Sequence, residues 1–269
     1  MVVAAAVAGN APRVSAVEAP ATTASSYAIL GLEDVMLRGQ VEVDGGDVGC
    51  NAQGGTVTMN ASARVIGAVA ADEIRLGFRA RADRLFCSQL VPIRRTSATC
   101  APATTPLVDP ATLPLVQIDA GKDDVRLPRL ATRMALPAGA YGVLRLGQRA
   151  QLTLAGGDYA FRSIDLEDRA QLLCESACTI GVDEEVLLKD DVQLGAMPPL
   201  DAHAVRVNVH GGLRSQAAFR AYRRSIVGAT VYAPNGGIVL GINGRYSGAF
   251  IGKTILVYQH AQITAASDF

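Results

Sequence analysis

Apolar residues recur along this chain in a nine-residue template, apolar-x-apolar-x-x-x-small-x-apolar, which predicts two short strands joined by a turn. Side chains alternate between the two faces of a strand, so each apolar pair points one face inward. The polar spacers turn the chain, as in Gly147–Arg149, Glu167–Arg169 and Lys189–Asp191. The copies are Val35–Val43, Val57–Val65, Ile74–Ala82, Leu144–Leu152, Ile164–Leu172 and Val186–Leu194, with weaker ones at Gly211–Phe219, Ile238–Tyr246 and Ile255–Ile263.

The spacing of these copies predicts a repeating coil. Neighbouring copies start 17 to 27 residues apart where no large insertion intervenes, and no single coil can bury its apolar face alone. The inner ladders of a stack would be Leu144 over Ile164 over Val186, and Leu152 over Leu172 over Leu194. We therefore predict an all-β chain folded as a parallel β-helix (β-solenoid) with coils of about 20 residues. A β-sandwich is the alternative, although it requires no register so regular.

Four segments follow from the repeat. Residues 1–26 form a flexible arm or leader remnant, 27–100 the N-terminal coils, 101–135 a Pro-rich excursion and 136–269 the C-terminal coils. The excursion holds five of the twelve prolines and no copy of the template. We expect residues 27–269 to form one continuous solenoid. The run Leu213–Ser225 fits a short basic helix or, as we favour, a strand with an outward row of arginines.

Composition and charge narrow the expected partners. The 269 residues include 25 basic and 25 acidic side chains, so the net charge is zero and no nucleic-acid or anionic-membrane footprint is present. Trp is absent, aromatic residues make up 5%, and the 27 glycines imply many tight turns. This composition suits thin β layers stacked on small side chains.

The N-terminal sequence bears on export. Its apolar stretch, Val2–Ala8, is too short to span a bilayer and lacks the basic region of a complete signal peptide, although Ala-Val-Ala resembles a cleavage site. The segment is therefore a processed or truncated export leader, or a flexible arm. No later segment approaches transmembrane length, so we expect no membrane span.

Five cysteines bear on the compartment. Cys87 and Cys100 bracket a polar excursion, and Cys174 and Cys178 bracket Glu-Ser-Ala, so each pair could close a loop by a disulfide. Free thiols are the alternative, and a metal site is disfavoured because no second thiolate pair or nearby His completes a tetrahedral set. Cys50 is left over as a small buried residue. Disulfides would imply an oxidising compartment, here extracellular or at the cell surface.

Candidates for catalysis are few, and we predict no catalytic residue, cofactor or metal. Phosphate-loop, dinucleotide-binding, serine-hydrolase and zinc-protease motifs are absent. The three histidines, His203, His210 and His260, are scattered and suit loop or surface roles. Adjacent acids are the best candidates for sugar or calcium chemistry, although acids in turns usually point to water. They are Asp123, Asp124, Asp183, Glu184, Glu185, Asp190 and Asp191.

Most tyrosines fall beside strand positions, where packing explains them, rather than forming an exposed platform for sugars. They are Tyr141, Tyr159, Tyr222, Tyr232, Tyr246 and Tyr258.

The stretch VYAPNGGIVLG, Val231–Gly241, could build a site or turn a corner. Pro234 cannot donate to a ladder, and the sequence Asn235, Gly236, Gly237 accepts left-handed turn geometry. A fresh copy of the template starts directly afterwards. We therefore interpret the stretch as a corner between two coils.

Longer passages resemble a bacterial exported β-helix family. LPAGAYGVLRLGQRAQLTLAGGDYAFRSIDLEDRAQLL (Leu136–Leu173) is similar to one of its internal passages, and VYAPNGGIVLGINGRYSGAFIGKTI (Val231–Ile255) to its ending. YAILGLEDVMLRGQVEVDGGDVG (Tyr27–Gly49) resembles its opening coils. The resemblance implies a surface-exposed or secreted, adhesin-like protein and brings no catalytic residues. The Cys174–Cys178 loop and the charged turns depart from the family pattern.

Two functions follow from these observations. The first is a non-enzymatic structural or adhesive extracellular protein whose copies assemble end to end into a surface or matrix filament, because the unpaired strand edges of a solenoid must be capped or paired. The second is carbohydrate binding or polysaccharide cleavage by acidic turn residues such as Asp190 and Asp191, with surface glycans as partners. Balanced charge, few aromatics and a repeat that uses most of the chain for stacking favour the first.

Overall fold

The computed structural model describes residues 23–92, 98–211 and 217–266, and over these ranges the chain is a parallel β-solenoid of about eleven coils. Its 25 strands form one sheet whose neighbouring strands run parallel. Three short 3₁₀ turns, Ala24–Ser26, Pro110–Thr112 and Ala202–Ala204, are the helical elements of these ranges. The parallel β-helix predicted from the repeat is confirmed.

In chain order the strands are β1 (Tyr27–Leu37), β2 (Glu42–Asp44), β3 (Asp47–Cys50), β4 (Thr56–Met59), β5 (Arg64–Leu76), β6 (Arg81–Pro92), β7 (Val125–Leu127), β8 (Thr132–Leu136), β9 (Gly139–Ala140), β10 (Val143–Leu146), β11 (Gln151–Leu154), β12 (Gly157–Phe161), β13 (Ser163–Leu166), β14 (Gln171–Cys174), β15 (Cys178–Val182), β16 (Val186–Leu188), β17 (Gln193–Ala196), β18 (Val205–Val209), β19 (Ala217–Ala221), β20 (Ile226–Gly228), β21 (Thr230–Ala233), β22 (Gly237–Leu240), β23 (Arg245–Ser247), β24 (Phe250–Val257) and β25 (Gln262–Thr264).

Each coil has three faces, represented by β10 on face 1, β11 on face 2 and β12 on face 3. The long strands β1, β5, β6 and β24 bend round corners and contribute to more than one face. The nine-residue template predicted the strands of faces 1 and 2. It missed face 3, because several of its strands are buried on both sides and do not alternate; all four residues of β21 are buried.

The inner core consists of the ladders that the template predicted. Leu144 pairs with Ile164, and Ile164 with Val186, on successive rungs of face 1. The predicted ladder of leucines occupies face 2 in the same way, with Leu152 beside Leu172. These side chains are at most 1% exposed, and burying one aliphatic side chain contributes about 1.5–3 kcal/mol.

The turn between faces 1 and 2, called the first corner, has a left-handed residue at the third spacer position of the template. The backbone N–H of Arg149 donates to the carbonyl of Asp168 at 3.0 Å, and that of Arg169 to Asp190 at 2.9 Å, so the ladder continues through the corner. This conformation is unfavourable for a residue with a Cβ, and the hydrogen bond between coils stabilises it. These residues have φ between 55° and 62° and are Gln40, Ser62, Arg79, Leu130, Arg149, Arg169, Asp191, Arg224, Asn243 and His260.

The coils are not stacked in chain order. On face 1 the strands follow one another as β7, β10, β13, β16, β19, β22, β24, β1, β4, β5 and β6. The chain therefore enters the stack in the middle and builds towards one end with β6. It then crosses to the opposite end and returns from β7 until β24 meets β1.

One coil is closed by both ends of the described chain. Its face 1 comes from the second half of β24, its face 2 from β25 and its face 3 from the start of β1. Ile29 pairs with Phe250 on one side and with Val48 on the other. This junction joins the N-terminal and C-terminal coils by hydrogen bonds and packing alone.

Two boundaries differ from the sequence prediction. The excursion is shorter than 101–135, because Val125 and Leu127 already belong to the first coil of the returning stack and pair with β10. The copy predicted at Gly211–Phe219 has a different register: Phe219 pairs with Val186 and so occupies the first apolar position of its coil. The favoured strand is present at β19, whereas residues 212–216 lie outside the described residues.

Residues 101–124, called the strap, run back along the outside of face 3. The side-chain amide of Asn51 donates to the carbonyl of Val108 at 2.9 Å and accepts from its N–H at 2.8 Å. Further towards β7, the hydroxyl of Tyr232 donates to the carbonyl of Pro114 at 2.9 Å. A side chain at Gly181 would meet Ile118 of the strap, so glycine gives the strap room to approach.

The strap covers a second hydrophobic cluster, called the outer core, on the outward side of face 3. Tyr27 and Ile251 are fully buried beneath it, and Leu107 of the strap is 5% exposed. The outer core consists of Ala24, Tyr27, Leu30, Ala68, Ala70, Phe86, Leu107, Val108, Tyr232 and Ile251.

Candidate functional site

One of the acidic groups predicted as candidates for sugar chemistry, Asp190 and Asp191, lies in the first corner and is engaged by two arginines. Asp190 accepts from Arg223 Nε at 2.9 Å, and Asp191 accepts from Arg224 Nε at 2.7 Å. The hydrogen bonds from these guanidinium groups hold the pKa of both carboxyls below the ordinary value. The pair therefore fastens two successive coils together.

The other predicted acids are dispersed over the surface. Asp124 caps the start of β10, accepting from the N–H of Val143 at 2.8 Å and from Arg126 at 2.9 Å, and these contacts lower its pKa. Asp183 contacts His210 Nδ1 at 3.2 Å. Asp123, Glu184 and Glu185 are exposed. Among the described residues, no group of three His, Cys, Asp or Glu side chains is arranged to hold a metal ion.

The three histidines occupy separate positions. His203 lies in the 3₁₀ turn before β18, and His210 follows the end of that strand. His260 is the left-handed residue of its corner, and its N–H donates to the carbonyl of Gly39 at 3.3 Å. The structure brings none of them together with another histidine.

Both predicted cysteine pairs lie within disulfide distance. The Cα atoms are 5.6 Å apart for Cys87 and Cys100 and 6.3 Å apart for Cys174 and Cys178, within the usual range for a bridge. The first pair links the middle of β6 to the residue directly before the strap. Cys50 is buried and unpaired, and burial raises the pKa of its thiol to about 12.

The stretch Val231–Gly241 is a corner between β21 on face 3 and β22 on face 1. The prediction of left-handed turn geometry is wrong here, because Asn235, Gly236 and Gly237 are not among the residues with positive φ. Close packing explains the glycine instead, since a Cβ at Gly236 would lie 2.5 Å from the Cβ of Ala218 in the neighbouring coil. The amide of Asn235 donates to the carbonyl of His210 at 3.1 Å and ties the corner to that coil.

Packing accounts for most of the tyrosines. Tyr246 and Tyr232 are 1% exposed, and Tyr159 is 3% exposed. Tyr141 stacks on Phe161 with ring centroids 5.6 Å apart. Tyr222 and Tyr258 differ, because both line an open cavity on the outside of face 1.

The two ends of the stack expose strand edges. At the β7 end (Val125–Ala140), β7, β8 and β9 each pair with the coil above and have no described strand below. At the β6 end (Arg81–Pro92), β6 pairs with β5, and a single bridge from Phe86 to Ala101 covers part of face 3. Parallel edges of this kind can accept a further strand.

Each end also exposes a large apolar side chain in the first corner. Phe78 is 47% exposed in the last described corner towards the β6 end, and Leu130 is 61% exposed in the first corner of the β7 end. Sequence reasoning missed both residues. The signal was present, because each places a large apolar residue in a spacer that is polar in most other coils.

No protein-family model, curated protein or solved structure matches this chain. The resemblance to the exported β-helix family therefore stays a prediction. None of the helices in the described part of the chain is long and apolar enough to cross a membrane.

Proposed function

We propose that this protein is a non-enzymatic, exported structural or adhesive protein of the cell surface or extracellular matrix, whose copies stack end to end into a filament. The observation that carries the proposal is the pair of ends. Among the described residues, each end presents parallel strand edges without a further strand and an exposed apolar side chain in the first corner, Leu130 at the β7 end and Phe78 in the last described corner towards the β6 end.

The geometry of the ends favours a filament over a closed dimer. Joining the β6 end of one copy to the β7 end of the next continues the parallel direction of the strands. Such a contact uses two different surfaces and leaves one of each free, so it does not close on itself unless the rotation returns to the start. Pro92 cannot donate to a strand stacked on face 1, so side-chain contacts at the corner are needed for affinity.

Sedimentation velocity, light scattering and negative-stain electron microscopy over a wide concentration range test the assembly. We expect particles that lengthen along the coil axis as concentration rises. Phe78→Ser and Leu130→Asn should each reduce assembly, and Asn tolerates the left-handed conformation of that corner. Ile226→Ser is the matched control, because Ile226 is 45% exposed but lies on β20 in the middle of the stack.

A monodisperse monomer at every concentration would contradict the proposal. Assembly of both end variants at the wild-type level would contradict it equally, whereas loss of assembly in the Ile226 control would show that the contact is lateral.

Export is supported by the two cysteine pairs at disulfide distance. Thiol alkylation of the denatured protein from its native source, followed by mass spectrometry, tests this part of the proposal. We expect one reactive thiol, that of Cys50, because an oxidising compartment preserves the other two pairs as disulfides. Five reactive thiols would place the protein in a reducing compartment.

A further inference from the structure

The outside of face 1 has a groove across the coils of β19, β22 and β24. Outward positions on neighbouring coils carry Arg220, Val239 and Leu256 on successive rungs. Val239 and Leu256 form an apolar floor beside the arginine. The cavity above them has a volume of about 610 Å³.

The charged residues that line the groove are all basic. Its lining includes Arg220 and Arg223 and no aspartate or glutamate. Arg223 is engaged by Asp190, whereas Arg220 has no carboxylate within ion-pair distance among the described residues. Arg220 is thus a half-exposed cation on an apolar surface, which suits an anionic group on a ligand.

Two tyrosines border a slot at the edge of this groove. Tyr222, Gly241 and Tyr258 follow paired residues on three successive coils, so they lie one above the other. The two tyrosines are two rungs apart, or about 9.5 Å along the axis. A flat ring in contact with two faces needs about 7–8 Å, so a spacing of two rungs leaves room for one ring between the two tyrosine positions.

The slot is kept open by the glycine and by its neighbours. A Cβ at Gly241 would collide with the carbonyl oxygen of Tyr222, so this rung carries no side chain. The guanidinium of Arg38 lies 4.9 Å from the ring centroid of Tyr258. Arg38 belongs to the coil beyond Tyr258, since its N–H donates to the carbonyl of Val257, and the opposite face of that ring is directed towards the slot.

From this arrangement we propose that the groove binds an acidic polysaccharide. The apolar faces of sugar rings pack on Tyr222 and Tyr258, and a uronate carboxylate pairs with Arg220. The cavity is open to the outside, and the outward apolar row continues beyond Leu256 on the next rung with Met36, which is 38% exposed. An open groove accommodates a polymer, whereas a small molecule is usually enclosed on most sides. This proposal uses the lateral surface and is independent of end-to-end assembly.

Isothermal titration calorimetry with defined hexasaccharides tests the site. The probes are hexamers of galacturonate and of mannuronate, the methyl-esterified galacturonate hexamer as a neutral counterpart with the same rings, and hexaglutamate as an acidic chain without rings. We expect at least one acidic hexamer to bind more tightly than the ester, by about tenfold for one charge-assisted contact. Hexaglutamate should bind more weakly than that hexamer.

Variants separate the roles of charge and stacking. Arg220→Gln should reduce the affinity of the acidic hexamer about tenfold, to the level of the ester. Tyr222→Ala and Tyr258→Ala should weaken both forms several-fold, because ring packing does not depend on the carboxylate. Arg145→Gln is the matched control, since Arg145 is an outward arginine of the same face on β10 and faces Asp165 instead of the groove.

Several results would overturn the proposal. These are no binding of either acidic hexamer at millimolar concentration, equal binding of acid and ester, tighter binding of hexaglutamate, or an equal effect of Arg145→Gln and Arg220→Gln. Circular dichroism and thermal unfolding of each variant confirm that the solenoid is intact, so that a loss of binding reports on the groove.

Discussion

The inner core is closed by the coils themselves, whereas the outer core, which lies on the successive coils from β21 to β6, is closed by a strap that occurs only once. On face 1 of the inner core, Leu144, Ile164 and Val186 occupy equivalent positions on successive coils. In the outer core, Tyr232, Ile251 and Leu30 also pair on successive rungs of face 3, but the strap that covers them occurs only once. A side chain of the inner core is thus supported by similar aliphatic neighbours on the coils above and below. One in the outer core depends on a single non-repeating segment.

This difference should separate global from local stability. Coils of a solenoid are coupled to their nearest neighbours, so a defect in the inner core weakens the whole stack. The strap touches the solenoid from one side and can open as a unit without unstacking the coils. Substitutions in the inner core should therefore lower the stability of the stack, whereas substitutions under the strap should act locally.

Phe219→Ala should cause the largest loss in the free energy of unfolding. The ring is fully buried between Val186 and Ile238 on face 1, and truncating a buried phenylalanine costs about 3–5 kcal/mol. Equilibrium unfolding in urea, with hydrogen exchange on the neighbouring coils, measures the effect. A loss below about 1 kcal/mol would mean that the coils around Phe219 can collapse independently.

Leu107→Ala should destabilise the strap more than the solenoid. Removing a buried leucine costs about 2–3 kcal/mol where the surroundings can partly relax. We expect faster hydrogen exchange in residues 101–124 and little change in the inner strands. Leu115→Ala is the control on the same strap, because Leu115 is 91% exposed; equal effects of the two variants would show that the outer core contributes nothing.

Asn51→Ala should release the strap at one point. The substitution leaves the N–H and carbonyl of Val108 without their partner, and an unsatisfied buried group costs about 1–3 kcal/mol. Hydrogen exchange at Val108 measures the release directly. Unchanged protection there would indicate that packing of the strap, and not this amide, fixes its position.

Asp190→Asn should lower the stability of the folded protein slightly, by an amount that depends on pH. The pKa of Asp190 is lowered in the folded protein by Arg223, so its contribution is present above the unfolded pKa of about 4 and is lost as the pH falls through the lower folded value. Because the pair is partly exposed, the contribution should stay below about 1 kcal/mol. The difference between wild type and variant in thermal unfolding should be visible at pH 7 and vanish near pH 2. A difference that grows towards low pH would contradict this assignment.

Arg149→Gly should slightly increase the free energy of unfolding. Glycine removes the strain of the left-handed corner, a benefit of about 1 kcal/mol that its extra freedom in the unfolded chain partly offsets. Asn243→Gly is the comparison, because asparagine tolerates this conformation and its replacement should change stability little. Thermal unfolding of the two variants side by side measures the difference, and an equal response would show that the hydrogen bond between coils already removes the strain.

Most of the solenoid was predictable, because the inner ladders follow from the alternation of apolar and polar residues in the two strands of the template. The prediction failed for strands that are buried on both faces, because their residues do not alternate. Strand β21 has all four residues buried, so alternation could not reveal face 3. The register of Phe219 was missed because two residues of its coil, Ala217 and Phe219, are both buried and both fit the template.

The candidate sites divide in the same way. The cysteine pairs were evident from local spacing. The acids Asp190 and Asp191 were visible, but the arginines that engage them lie 33 residues later. The slot between Tyr222 and Tyr258 could not be read from the sequence, because it requires knowing which coils are neighbours.

The sequence alone determined the shape of a coil: its period sets which side chains point inward, and its spacers set where the chain turns. The tertiary structure decided the order of the coils. Coils with parallel strand edges and similar apolar ladders can stack on one another in many different orders. A periodic pattern therefore does not specify which coils become neighbours. The order is fixed instead by contacts that do not repeat, namely the strap on face 3, the Asn51–Val108 hydrogen bonds and the meeting of β24 with β1.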